Sequence, residues 1–214
     1  MPGELANVVA GRVANLLDLQ GPNYSTDAAC ASTFAALLDA CRLLHARQVD
    51  MMGAGASDRT MDPATFAKFS AIGALSASHS TPFDALANGF VMGEGSGMLV
   101  LETLEHAQHR GAEPIAEIIG FGSSADAYRI TDLHPDGRGP AAAMNGALAQ
   151  AGIDPLELKH DRPQVHYISA HGTGTQENDS IESMAIKKVF GEHAKDVPIS
   201  SIKSMMGNLI AAAG

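Results

Sequence analysis

The run Asn23-Tyr24-Ser25-Thr26-Asp27-Ala28-Ala29-Cys30-Ala31-Ser32-Thr33 decides how the chain is read. Its first five residues suit a short strand, and small residues crowd in directly after them. Apolar side chains then recur at Cys30, Phe34, Leu37, Leu38, Cys41 and Leu44. Those spacings of three, four and seven predict a helix with one buried face. Cys30 is thereby expected in the first turn of that helix, just past a strand. Unpaired N–H groups and the positive helix end favour thiolate over thiol there, which makes a better nucleophile near neutral pH. Ala28, Ala29, Ala31 and Ser32 leave room for a substrate to reach the sulfur. The same pattern also suits an inert cysteine that fills a core as a small apolar residue.

Upstream, Leu5, Val8, Val9, Val13, Leu16 and Leu17 predict a helix within Met1–Leu19, ended by Gly21-Pro22. Downstream, Val49–Ala56 reads as a short buried strand, and Pro63–Leu75 as a helix with Pro63 in its first turn. Gly93, Gly95 and Gly97 resemble a phosphate-cradling loop, which needs a helix directly after the glycines. A β-type run, Met98–Glu102, follows instead, so close approach of another backbone is the expected use. Thr103–Arg110 is a short polar helix whose His106 and His109 lack a nearby third ligand, which makes a solvated face the expectation. Pro114–Ser123 predicts a strand, Ser124–Gly139 a loop between two halves, and Ala141–Ala151 a helix stopped by Gly152.

A strand over Val165–Ala170 ends on His171-Gly172-Thr173-Gly174-Thr175. Asp179–Phe190 is then a helix with Ile181, Met184, Ala185, Ile186 and Val189 on one face. Val197–Ile202 is the last strand. It leads through Lys203 and Asn208 into a small-residue helix, Leu209–Ala213. Strands alternating with helices predict an α/β fold with largely parallel pairing. The last strand-and-helix unit also echoes the first, as after an internal duplication.

The totals narrow the function. The 214 residues suit one large domain or two small ones, and the net charge of −10 argues against nucleic acid, which needs a cationic face. Two cysteines without a secretory signal point to a reducing, cytoplasmic setting. Cys30 and Cys41 lie eleven residues apart, too far to bond within one helix. No apolar run reaches the roughly 18 residues that span a bilayer.

Polar groups collect at three strand ends: Cys30, His171, and Asn208 with Lys203 beside it. Such junctions are where an α/β sheet builds a site. A cysteine nucleophile needs a partner that manages protons or holds developing negative charge. Taken singly, His171 also reads as a satisfied core histidine, Asn208 as a helix cap and Lys203 as a surface cation. Their recurrence at three similar junctions favours one shared pocket.

The chain resembles the β-ketoacyl synthase family, the condensing enzymes of fatty-acid and polyketide synthesis. Asp27-Ala28-Ala29-Cys30-Ala31-Ser32 resembles the nucleophile motif, and Gly89-Phe90-Val91-Met92-Gly93-Glu94-Gly95 the central Gly-rich segment. His171-Gly172-Thr173-Gly174-Thr175 matches the first histidine motif. Ser201-Ile202-Lys203-Ser204-Met205-Met206-Gly207-Asn208, with the Ala-Ala-Ala-Gly that follows, matches the lysine and second-histidine motif save for one residue. The blocks stand in the family's order and spacing.

The resemblance implies a thiolase-like layered αβαβα fold, incomplete at both ends. Residues 1–125 would be the later part of its N-terminal half, with the nucleophile, and residues 140–214 the early part of its C-terminal half. It implies that Cys30 takes an acyl group from a carrier thioester, and that a malonyl thioester is then decarboxylated and condensed with it. His171 would stabilise the enolate or thioester oxygen. Lys203 would order the site, paired with Glu182. Thr173 and Thr175 would bind the pantetheine arm, and Phe69 would line the acyl channel. No metal or resident cofactor is implied, since substrates ride on the phosphopantetheine of an acyl carrier protein. A homodimer or a ketosynthase-like heterodimer is the implied assembly.

Asn208 departs from the pattern, standing where this branch has its second histidine. An amide still donates a hydrogen bond to an oxyanion, as related Cys-His-Asn branches do, but it transfers no proton near pH 7. Losing one such stabilising donor costs about 10²–10³ in rate. The segment Phe83–Phe90 also lacks the charged residues the family carries before its Gly-rich segment. Two other readings share these residues. One is a non-catalytic partner subunit, favoured by Asn208. The other is a papain-like hydrolase, disfavoured by the lack of tryptophan and the wrong glycine spacing. A piece of such a domain is expected to expose apolar faces and to be poorly soluble alone.

Overall fold

The computed structural model describes residues 3–59 and 62–214. Helix α1 spans Asn7–Leu17, narrower than the Met1–Leu19 expectation, of which Met1 and Pro2 lie outside the described residues. A single 3-10 turn, Ala29–Ala31, runs into α2, Ser32–His45. Next come β1 (Met51–Asp58), α3 (Pro63–Ala71), β2 (Gly95–Glu102), α4 (Leu104–His109) and α5 (Arg138–Ala151). The short strands β3 (Leu158–Lys159), β4 (Arg162–Pro163) and β5 (Ile168–Ser169) precede α6 (Gln176–Phe190). Strand β6 (Ile199–Ser200) and helix α7 (Lys203–Met206) lead to a last 3-10 turn, Ile210–Ala212. The chain divides into two units, one made of 3–59, Glu94–Ile115 and Leu209–Gly214, the other of 62–93 and Ala116–Asn208.

In the first unit α2 packs on β1. Its buried face is Thr33, Leu37, Ala40 and Leu44, while Phe34 is 54% exposed. Sequence spacing placed Phe34 on the buried side. The register that seats Thr33, whose Oγ1 donates to the Ala211 carbonyl at 2.7 Å, turns the next residue about 100° away. Strands β1 and β2 pair antiparallel from Met51↔Glu102 to Asp58↔Gly95. The expectation of largely parallel pairing is therefore corrected. Alternation of strands and helices counts elements but does not fix direction: one helix, α3, and a long irregular segment join these two strands, and a connection of that length permits either pairing. A β-carbon on Gly55 would collide with the Gly97 carbonyl oxygen, so Gly55 serves backbone approach. Gly97 itself has open space where a β-carbon would stand and Gly95 faces the Leu209 side chain, which corrects the use expected of those two.

The predicted strand over Asn23–Asp27 is absent as well, since those residues join no ladder. The Asp27 carboxylate instead accepts from Ala29 N–H at 2.9 Å, and that turn ends the extended run. Helix α1 buries none of its residues, and Val9, Val13, Leu16 and Leu17 stay exposed.

The second unit builds its core from Ile186, Val189, Phe190 and Val197, packed by Met144, Leu148, Val165 and Ile168. Pro63 stands in the first turn of α3, as the sequence indicates, and the Asp62 side chain caps the helix. Helix α6 buries Ile181, Ala185, Ile186 and Val189, while Met184, assigned to that face, is exposed. Strands β5 and β6 pair in parallel. Pro114–Ser123 forms no strand. Its Gly120 and Gly122 instead press on the α5 backbone at Ala147 and Ala143, where a β-carbon would clash. Among the described residues no helix is long and apolar enough to cross a membrane.

Gly55→Ala should lower the urea midpoint by an amount equivalent to about 1–3 kcal/mol, as overpacking against fixed backbone does. Gly53→Ala, on the same strand with open space around it, should change stability by less than about 1 kcal/mol. Equal midpoints for the two variants would contradict the close approach of β1 and β2.

Candidate active site

Cys30 sits in the 3-10 turn that precedes α2, not in the first turn of α2 itself. The correction has a local cause. Ala29 has φ +49°, a left-handed conformation uncommon for a residue with a β-carbon, and it breaks the helix before Cys30. Hydrogen bonds hold the turn: Ala28 N–H donates to Ser32 Oγ (2.9 Å), and that hydroxyl donates back to the Ala29 carbonyl (2.7 Å). The small residues of the motif thus serve a sharp turn that presents a half-buried sulfur directly before a helix. Cys41 is a contrast, because burial pushes its thiol pKa up and away from nucleophilic use.

In the second unit the loop His171–Thr175 is fixed almost wholly through its backbone. Both Glu182 carboxylate oxygens are taken, one by His171 N–H (2.7 Å) and one by Gly172 N–H (2.8 Å). Asp179, buried in the first turn of α6, accepts from Gly174 N–H at 3.2 Å and from Phe83 N–H at 2.6 Å. Ser201 Oγ donates to the Gly172 carbonyl (2.9 Å), and Gly89 N–H to the Gly174 carbonyl (2.9 Å). The Thr173 and Thr175 hydroxyls share a bond of 2.9 Å.

Lys203, 3% exposed, opens α7. His171 as a residue is exposed, but the loops packed around its ring still bury much of it from bulk water. That burial, with the Lys203 cation beside it, lowers the His171 pKa to about 4 against the opposing pull of Asp179. The imidazole is neutral at pH 7 and carries one N–H to donate. Asn208 is 1% exposed. Its N–H donates to the Val91 carbonyl (2.7 Å) and its own carbonyl accepts from Gly93 N–H (2.9 Å), so the Gly-rich segment holds it by a parallel bridge. Phe69 meets Phe90 edge to face, ring centroids 5.3 Å apart.

His171, Thr173, Thr175, Glu182, Lys203, Asn208 and Phe69 all belong to the second unit, and Cys30 to the first. Asp179, Ser201 and Phe83 escaped the sequence reading. An acid in a first helical turn reads as a partner for the helix dipole, and nothing local says that it reaches a residue 96 positions earlier. His106, considered for a metal, instead pairs with Glu102 at 2.6 Å.

Two family models cover the chain: the β-ketoacyl synthase N-terminal domain matches residues 1–107 and the C-terminal domain residues 115–214. The chain belongs to the β-ketoacyl synthase family. The 3-oxoacyl-[acyl-carrier-protein] synthase 2 of Rhizobium meliloti is 42% identical, over all of this chain and 51% of that protein. A type II polyketide-synthase ketosynthase, solved with its acyl-carrier protein and bound to a hexaketide, superposes with a TM-score of 0.90 at 39% identity, over 97% of this chain and 51% of that one. A ketosynthase from Xenorhabdus doucetiae, solved with its chain length factor, gives 0.84 at 34% identity, over 98% and 48%. The fold is accordingly the thiolase-like α/β fold of ketosynthases, and the chain spans about half the length of the curated relatives it matches.

The depressed His171 pKa has a consequence for stability. A histidine that binds its proton less well folded than unfolded contributes full stability above about pH 6.5, and that stability is lost as the pH falls toward 4. Melting temperatures taken between pH 7 and 4.5 should fall further for the wild type than for His171→Gln. Parallel curves for the two proteins would refute the shift.

Proposed function

We propose that this chain carries the chemistry of a β-ketoacyl synthase in fatty-acid or polyketide synthesis, a decarboxylative condensation of carrier-bound thioesters. The Cys30 thiolate attacks an acyl thioester, the acyl C–S bond to the carrier breaks, and the carrier's sulfur departs as thiolate and takes a proton from solvent. A malonyl-type thioester then binds and loses CO₂, leaving an enolate whose oxygen needs hydrogen-bond donors. The enolate carbon attacks the acyl-cysteine carbonyl. The C–S bond breaks, the thiolate returns, and a β-ketoacyl thioester leaves on the carrier.

The observation that supports this reading most is the neutral imidazole of His171, kept so by burial and by Lys203. A neutral ring donates an N–H to a developing oxyanion without first giving up a proton, which is the service an oxyanion hole provides. On this reading Asn208 supplies a second, amide donor, and Lys203 orders the site with Glu182. Thr173 and Thr175 hold the pantetheine arm, and Phe69 borders the acyl channel. The partners are an acyl carrier protein and a second ketosynthase-type subunit, the same or different. The halves 1–125 and 140–214 and the cytoplasmic setting belong to the same proposal. It is supported by the family models, which hand over between residues 107 and 115, and by the names of the relatives.

One observation favours a second reading, a non-catalytic partner subunit: Asn208 replaces a residue able to transfer a proton, and solved relatives include ketosynthases paired with a chain length factor. Incubation with an acyl thioester followed by mass spectrometry separates the two. The condensing reading expects acyl mass on Cys30 and none in Cys30→Ala; no acyl mass on the wild type would sink it. Separately, Asn208→His should raise malonyl-thioester decarboxylation by up to about 10²–10³. No gain at all would mean that Asn208 already serves as well as a histidine.

A further inference from the structure

The segment Thr81–Gly89 lies as a strap on the His171 loop, and one of its residues is under strain. Phe83 has φ +62°, a left-handed conformation that is an outlier for a bulky side chain. Such a residue persists only where its surroundings over-determine it. Here the buried Asp179 carboxylate takes the Phe83 N–H at 2.6 Å, and its other oxygen takes Gly174 N–H of the His171 loop. One carboxylate therefore ties strap and loop together. Gly89 N–H closes the far end of the strap on the Gly174 carbonyl.

The strained turn aims the aromatic ring. A β-carbon placed on Gly172 would lie 2.8 Å from Phe83 Cε2 and 2.5 Å from Ser201 Cβ. The residue after His171 is thus pressed between the Phe83 ring and Ser201, with no room for a side chain. The charged groups around the imidazole come from α6, which brings Asp179 and Glu182, and from α7, which brings Lys203. Phe83 brings only apolar cover.

We propose that Phe83 is a positioning residue for His171: pinned in a left-handed turn by Asp179, its ring closes on Gly172 and keeps water from the imidazole's side of the loop. The catalytic use of His171 rests on the function proposed above, but the positioning does not. Removing the ring lets water reach the loop and makes the charged imidazole cheaper to form.

The test is the His171 titration followed by NMR in the full chain, with its signal assigned by its loss in His171→Gln. The wild type should titrate at about 4. Phe83→Gly, which accepts the positive φ without strain, should raise the midpoint by about one unit or more toward the ordinary 6.5. Phe83→Leu, which keeps a shorter apolar cover, should raise it less, and it decides the matter where the glycine variant does not fold. Phe83→Tyr, which keeps the ring, should hold it at the wild-type position. Folded glycine or leucine variants with an unmoved midpoint overturn the proposal, as does a rise in Phe83→Tyr equal to that of Phe83→Gly. The titration uses no substrate, so the two readings fail separately. A midpoint that moves as expected, beside a Cys30 that never gains acyl mass, sinks the condensation and leaves the positioning standing. An unmoved midpoint with acylated Cys30 does the reverse.

Discussion

Two carboxylates on one helix carry the architecture of the second unit. The loop His171–Thr175 turns through a path that no sheet or helix ladder can serve, so its inward N–H groups need other acceptors. Asp179 and Glu182, three residues apart and so on one face of α6, supply them. Glu182 takes the N–H groups of His171 and Gly172, and Asp179 that of Gly174. Leaving a buried donor unmade costs about 1–3 kcal/mol, a penalty that falls in full on Gly174 N–H, the buried one of the three. The loop therefore has one low-energy shape.

The same arrangement resolves an electrostatic conflict. Carboxylates beside a histidine ordinarily favour its charged form. Here burial and the neighbouring Lys203 outweigh Asp179, and His171 ends well below its usual pKa. Committing both acids to backbone N–H groups lets them shape the loop while the imidazole stays neutral. A neutral donor with fixed direction is what oxyanion stabilisation calls for in general.

The two units share a second device. Each candidate reactive side chain lies next to a strained, non-glycine turn, Ala29 at φ +49° before Cys30 and Phe83 at φ +62° against the His171 loop. In both, a carboxylate accepts a backbone N–H from the strained residue itself, Asp27 from Ala29 and Asp179 from Phe83. Short polar side chains thus hold conformations that the backbone alone would abandon.

The sequence by itself determined the helices α2, α3, α5 and α6, the strands β1 and β2, and the family, because periodicity, helix stops and contiguous motifs are local properties of the chain. It also singled out Cys30, His171, Lys203 and Asn208 as the residues to follow. Only the tertiary structure decided that β1 and β2 run antiparallel, that Asn23–Asp27 and Pro114–Ser123 join no sheet, and that Phe34 and Met184 turn outward. Only there does Asp179 reach Phe83. Those outcomes depend on which distant backbone arrives beside a segment, and residues far apart in the chain leave no periodic trace of one another.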